Sequence, residues 1–147
     1  MSCPFCNLPE ERILYRGKHA SALFSLWPVS DYHLLIIPNR HVTREKELKE
    51  CEVLELHKLK VYLVELIERK TGLKDYNFGL NQGELAGQTV PHLHYHVIFR
   101  KFGDVEDPSG GIRNIIPNMG NYMKNPIPKR EEDVKKWTEE IKRSLRL

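Results

Sequence analysis

One stretch limits this chain more than any other: Gly87-Gln88-Thr89-Val90-Pro91-His92-Leu93-His94-Tyr95-His96-Val97-Ile98-Phe99-Arg100. Three of the seven histidines fall here, alternating with Leu93, Tyr95 and Val97. Polar and apolar residues at period two signal a β-strand, and the apolar partners include β-branched and aromatic types that suit one. In a strand, residues two apart point to the same face. The spacing therefore predicts His92, His94 and His96 on one side of a sheet and Leu93, Tyr95 and Val97 on the other. A sheet face that carries three imidazoles is too polar for an ordinary core.

Three uses of such a face compete. It can be a hydrogen-bonded polar cluster that serves fold specificity, though three imidazoles in register are hard to satisfy without a ligand. It can be a zinc site, since neutral imidazoles ligate that metal. It can be a nucleophilic centre, with one His attacking and its neighbours orienting it. The residues upstream favour the third use. Gly87-Gln88-Thr89 is a short polar turn, entered by Asn81-Gln82-Gly83. Glycine lets backbone N–H groups approach an oxyanion, and Gln88 and Thr89 add side-chain donors. Imidazoles beside such donors suit a phosphoryl group.

The run Ala86-Gly87-Gln88-Thr89-Val90-x-His92-x-His94-x-His96-Val97, with Gly103-Asp104 after Arg100, resembles the signature of the histidine triad (HIT) superfamily. Within it the run is most similar to the Fhit-like dinucleoside polyphosphate hydrolases, and the likeness covers roughly residues 3–107. The resemblance implies an α+β, HIT-like fold: an antiparallel five-stranded sheet packed by one long helix, plus a C-terminal helix. The residues then read as one domain over 1–147, with an arm at 1–12, the core at 13–104, an irregular loop at 105–128 and a helical segment at 129–147. The resemblance also implies a homodimeric enzyme that hydrolyses dinucleoside polyphosphates at the α-phosphate, and the lack of a signal peptide or apolar span makes a cytoplasmic location the expectation.

Composition agrees. Net charge is +3 and the pI near 8.7, a mild basicity that helps attract polyphosphates, but the basic residues are mixed with acids, so it is weak evidence for nucleic acid binding. No apolar run approaches a membrane span and no signal peptide is read at Met1-Ser2-Cys3. Three cysteines do not suggest a disulfide framework.

Cys3-Pro4-Phe5-Cys6 can be a redox pair, half a zinc site or two unrelated thiols. Asn7-Leu8-Pro9 argues against the helix that a redox pair wants next. Some HIT-like and related nucleotidyl transferase proteins pair such cysteines with a His after the second core strand and with the first His of the triad. That similarity implies a closed structural zinc site of Cys3, Cys6, His41 and His92, leaving His94 free.

The rest reads in order. Ile13-Leu14-Tyr15 is an edge strand. Ser21 to Leu26 is a strand with Ala22, Phe24 and Leu26 on one face, ended by Pro28. His33 to Ile37 is a near-continuous apolar strand, buried on both faces. The hairpin between them brings Ser25 and His33 to one pocket wall. Arg44 to Thr71 reads as one helix, with Thr43 as N-cap, Gly72 as C-cap and Leu48, Cys51, Leu59, Tyr62 and Leu66 on its buried face. Cys51 reads as a small core residue and His57 as a solvated one. Asp75 to Asn81 is the next strand. No regular element fits 103–128. Pro128 to Leu145 is a charged amphipathic helix with a stripe of Val134, Trp137, Ile141 and Leu145.

The resemblance assigns roles to residues. His94 is the nucleophile, and His96 contacts phosphate oxygens and assists the departing group. Asn81, Gln88, Thr89 and Val90 hold the phosphate, and His33 buttresses the triad. Ser25 stands where nucleotide-binding members carry Asn or Asp, and Tyr32 where they carry Gly, so the ribose contact departs from the pattern. Arg113 is a candidate clamp on distal phosphates. Phosphoramidate cleavage, transfer to phosphate, and zinc-stabilised nucleotide binding without turnover are the other readings.

Overall fold

The computed structural model describes residues 2–117, 119–121 and 130–144, the side chain of Ile141 excepted. It forms two compact units, Met1–Asp107 and Pro108–Leu147.

The first unit is a five-stranded antiparallel sheet under one long helix. Its elements are β1 (Ile13–Arg16), β2 (Ala20–Phe24), β3 (His33–Pro38), α1 (Glu50–Thr71), β4 (Asp75–Leu80) and β5 (Tyr95–Arg100). The sheet order is β1-β2-β3-β5-β4. Strands β3 and β5 are therefore central, and β3 is buried along its whole length. On one face Ala20, Ala22, Leu34, Ile36, Val97 and Phe99 pack against Leu56, Leu59, Leu63 and Ile67 of α1. On the other, Leu23, Leu35 and Ile37 are covered by Phe5 and Leu8 of the N-terminal arm. The uninterrupted apolar run in β3 follows from this: each side of the strand meets apolar partners.

Two polar braces hold the connections. Glu55 of α1 accepts the backbone N–H groups of His19 and Ala20, which steadies the β1–β2 turn. Glu52, only 3% exposed, accepts 2.8 and 3.3 Å bonds from the Arg40 guanidinium. A buried carboxylate needs such a partner, and the contact draws its pKa below the usual range. The pair ties the segment carrying His41 to the start of α1.

Several expectations need correction. The helix begins at Glu50, not Arg44, and Thr43 is not its cap. Glu47 instead accepts the N–H groups of Thr43 and Arg44, closing a short turn over Glu45–Glu47. Gly72 does end the helix, at φ 79°, in the left-handed region that a residue with a Cβ enters at a cost. The buried face is Leu56, Leu59, Leu63 and Ile67, at spacings of three, four and four. Cys51 is exposed rather than core, and Tyr62 is 52% exposed. Phe24, the last residue of β2, is exposed, and so is Leu26, which lies past the strand end where the alternation no longer applies. Strand β5 opens at Tyr95, so His92, in a bend whose N–H returns to the Val90 carbonyl, and His94 precede it. His57 is exposed, as expected.

In the second unit, Gly111–Ile115 forms a 3-10 turn where no regular element was expected. Helix α2 spans Glu131–Ser144, with Val134 and Trp137 half-exposed. The expected helix ends, Pro128 and Leu145, lie outside the described residues. No helix among them is long and apolar enough to cross a membrane.

Candidate active site and metal cluster

Strand pairing builds the site. In β3–β5, His33 sits opposite Ile98 and Leu35 opposite His96. These registers bring the His33 and His96 rings together at 5.2 Å between centroids, and His94 lies 5.1 Å from His96 on the other side.

Neighbouring backbone groups fix which nitrogen of each neutral ring carries the proton. The carbonyl of His92 can only accept, so His94 donates Nδ1–H to it at 2.8 Å. Its Nε2 then carries a lone pair, and among the described residues no hydrogen bond occupies it. The N–H of Val29 donates to His33 Nδ1 at 3.1 Å, so the proton of His33 is on Nε2. That Nε2–H donates to His96 Nδ1 at 2.9 Å. His96 must then carry its proton on Nε2. This atom is buried without a partner among the described residues, a costly state unless a ligand accepts from it.

Burial pushes the pKa of His96 down to about 4, with the His94 and His33 charges adding to the effect. His33 is lowered by burial as well. Both rings are therefore neutral at pH 7, and the assignment above holds there. An acceptor-ready imidazole nitrogen stands next to a donor-ready one.

The phosphate-side loop is shaped from within. Gln88 accepts the Gly83 N–H at 2.8 Å and donates to the Val90 carbonyl at 3.1 Å, so its carboxamide braces the loop. Gly87 sits at φ 91°, which lets the chain turn back at that point. Among the described residues, no acceptor takes the N–H groups of Thr89 and Val90. Asn81 follows β4 directly and is half-buried. Ser25 donates its backbone N–H to the His33 carbonyl at 2.9 Å, and its hydroxyl accepts from the Trp27 N–H at 3.2 Å. Among the described residues, no hydrogen bond ties Ser25, Asn81 or Thr89 to the triad. Tyr32 adopts φ 57°, a left-handed conformation unusual for a bulky residue. Arg113 lies on the Gly111–Ile115 turn of the second unit.

The four proposed metal ligands converge. One donor atom each from Cys3, Cys6, His41 and His92 lies within 4.8 Å of the others. His92 Nδ1 is 3.3 Å from Cys3 Sγ and 3.5 Å from Cys6 Sγ, and His41 Nδ1 is 3.4 Å from Cys6 Sγ. In a tetrahedral zinc site the nitrogen–sulfur edge is about 3.6 Å, so the set fits that ion. The donor chemistry fits too. His92 donates Nε2–H to the Pro38 carbonyl at 2.8 Å, which leaves Nδ1 bare towards the thiols. Burial and the adjacent Cys3 raise the Cys6 thiol, an arrangement that a cation would relieve.

Backbone groups of Val29 and Pro38 and the ring of Phe5 were not foreseen. The first two act through backbone atoms, which residue type does little to mark. Phe5 had a signal, since it lies between the paired cysteines.

The HIT domain profile matches residues 9–103. The chain belongs to the HIT family. A nitrilase and fragile histidine triad fusion protein, NitFhit, of Caenorhabditis elegans is 33% identical to this HIT chain over 120 residues, 82% of the chain and 26% of NitFhit. The asymmetrical bis(5'-nucleosyl)-tetraphosphatase of Schizosaccharomyces pombe is 34% identical over 110 residues, 75% of the chain and 60% of that enzyme. An AP-4-A phosphorylase of Mycobacterium tuberculosis is 33% identical over 107 residues, 69% of the chain and 55% of the relative. The chain thus spans only part of the length of each. A zinc-bound histidine triad family protein of Mycobacterium smegmatis superposes with TM-score 0.63 at 25% identity, covering 70% of this chain and 78% of that one.

Proposed function

We propose that this HIT protein cleaves dinucleoside polyphosphates at the α-phosphate through a nucleotidyl-histidine intermediate on His94. The observation that carries the reading is the pair of ring nitrogens: a bare Nε2 on His94 beside an orphaned Nε2–H on His96. The lone pair of His94 attacks phosphorus, the Nε2–P bond forms and the bond to the bridging oxygen breaks. The polyphosphate leaves as an anion, so it needs a hydrogen bond more than a full proton. His96 supplies that bond, and His33 keeps His96 in the donating tautomer. Water then attacks the same phosphorus, releasing the nucleotide and a proton to solvent and returning His94 neutral. The amides of Thr89 and Val90, the Asn81 side chain and the remaining N–H of the Gln88 carboxamide hold the phosphate oxygens, with Ser25 towards the nucleoside.

Zinc at Cys3, Cys6, His41 and His92 would be structural, because all four positions are filled by protein. It would fasten the arm to the sheet and take no part in bond breaking. We read the chain as one HIT domain over 1–147, acting as a cytoplasmic homodimer. Support for the dimer comes from β4, an edge strand whose Tyr76 and Phe78 are 37% and 38% exposed.

The phosphorylase among the relatives favours one second reading, in which phosphate instead of water takes the nucleotidyl group. A product assay on diadenosine tetraphosphate, with and without phosphate, separates them. AMP and ATP without added phosphate support hydrolysis, ADP formed only with phosphate supports transfer, and no cleavage under either condition sinks both.

A further inference from the structure

Phe5 stands between Cys3 and Cys6, and its ring meets two histidines of different roles. It lies edge-on to His92, with centroids 5.8 Å apart at 82°, and to His94, at 5.2 Å and 74°. Its other side packs with Leu8 on Leu23, Leu35 and Ile37. His94 has one hydrogen bond to hold its plane, from Nδ1 to the His92 carbonyl. That bond is made off the Cβ–Cγ axis, so it restrains the last side-chain torsion, and packing limits the swing that remains. The rings that pack edge-on against His94 are those of Phe5 and His96.

What holds Phe5 there is the turn around it. The N–H of Cys6 returns to the Cys3 carbonyl at 3.2 Å, which sends both sulfurs towards His92. The four-residue cluster joins the arm, the segment after β3 and the approach to β5. An ion in it would clamp all three.

We propose that Phe5 is a positioning residue for His94, and that metal bound at the cysteine–histidine cluster delivers it. The proposal rests on the reading that the cluster holds zinc. Phe5 does no chemistry itself. It limits the swing of the attacking ring, and it does so because the loop that carries it is ligated on both sides. A closed metal site thereby acts on a nucleophile that is not one of its ligands. A displaced attacking atom is expensive, since about 1 Å of error can cost on the order of a hundredfold in rate.

The test uses the full chain loaded with zinc and the variants Phe5→Ala, Phe5→Leu and Phe5→Tyr. Three quantities are read: zinc content, the nitrogen NMR spectrum of the His94 imidazole without substrate, and kcat and KM on diadenosine tetraphosphate. Zinc content should be equal in all four proteins. Phe5→Ala and Phe5→Leu should broaden the His94 signals or mix its tautomers. Both should lower kcat about ten- to hundredfold while KM moves by less than about threefold. Phe5→Tyr should restore both readouts, and removing zinc from the wild-type chain should reproduce the Phe5→Ala spectrum. A wild-type spectrum and kcat in Phe5→Leu would overturn the proposal. So would a raised KM at unchanged kcat, which marks a substrate wall, or loss of zinc in Phe5→Leu, which marks mere packing of the cluster. If the zinc reading itself is wrong, the wild-type chain carries no zinc, or loses it with no spectral change, while Phe5→Ala still alters the spectrum. That pattern removes the metal from the proposal and overturns it as stated. The imidazole spectrum decides even if the substrate class is wrong.

Discussion

Two histidines of the site are fixed by a backbone atom and a third by a neighbouring ring. The His92 carbonyl sets His94, the Val29 amide sets His33, and His33 then sets His96. Replacing His94 by Asn should keep nucleotide binding and lower turnover by on the order of 10³ or more, as loss of a covalent nucleophile does. Substantial turnover in that variant, measured on diadenosine tetraphosphate, would place the nucleophile elsewhere. Replacing His33 by Ala should free the His96 tautomer and cost about ten- to hundredfold in kcat. A second consequence concerns pH. His96 titrates near 4 in the folded chain, against an ordinary value of 6.5. Between those values the unfolded chain binds more protons, so stability rises with pH there. The contribution is whole above about 6.5 and is lost as pH falls through about 4. His33 acts in the same direction. The urea midpoint should therefore drop from pH 7 to pH 5, and His96→Gln should reduce that drop. An identical drop in the variant would show that His96 is not among its causes.

At the scale of elements, α1 shows where residue pattern and packing diverge. The stripe that buries is Leu56, Leu59, Leu63 and Ile67. A second apolar series, including Leu54 and Tyr62, stays outside at 55% and 52% exposure. Both have helical spacing, so periodicity alone does not choose between them; the sheet does, by the side on which it lies. Leu63→Ala should cost about 2–5 kcal/mol, and Cys51→Ser should change stability by no more than about 0.5 kcal/mol. Denaturant unfolding checks both, and a large loss from Cys51→Ser would reverse the assignment of faces. The helix start was also hidden, because Glu47 closes a separate turn before Glu50 with its own carboxylate. Nothing in the mostly charged run from Thr43 to Glu50, with Leu48 in it, marks that break.

For the whole molecule, the exposed aromatic face of β4 carries the expectation of a dimer. Light scattering should give twice the chain mass, and Phe78→Glu should give the monomer; a monomeric wild-type chain would end that reading. What residues alone determined here is chemistry and class. Alternating histidines beside Gly87-Gln88-Thr89 read as a strand next to a phosphate-suited turn, and the succession of strands and one long helix reads as α+β, because residue type and spacing along a chain are local quantities; the nucleophile and the ligand set came only with the resemblance to the HIT family. Convergence was decided only by folding. The cysteines reach His92 across 86 positions or more of sequence, Phe5 reaches His94, and His33 reaches His96 through strand register. Such contacts depend on where distant backbone passes, and so do the carbonyls and amides that assign each proton. A carbonyl is common to every residue, and its partner appears only once the chain has closed around it.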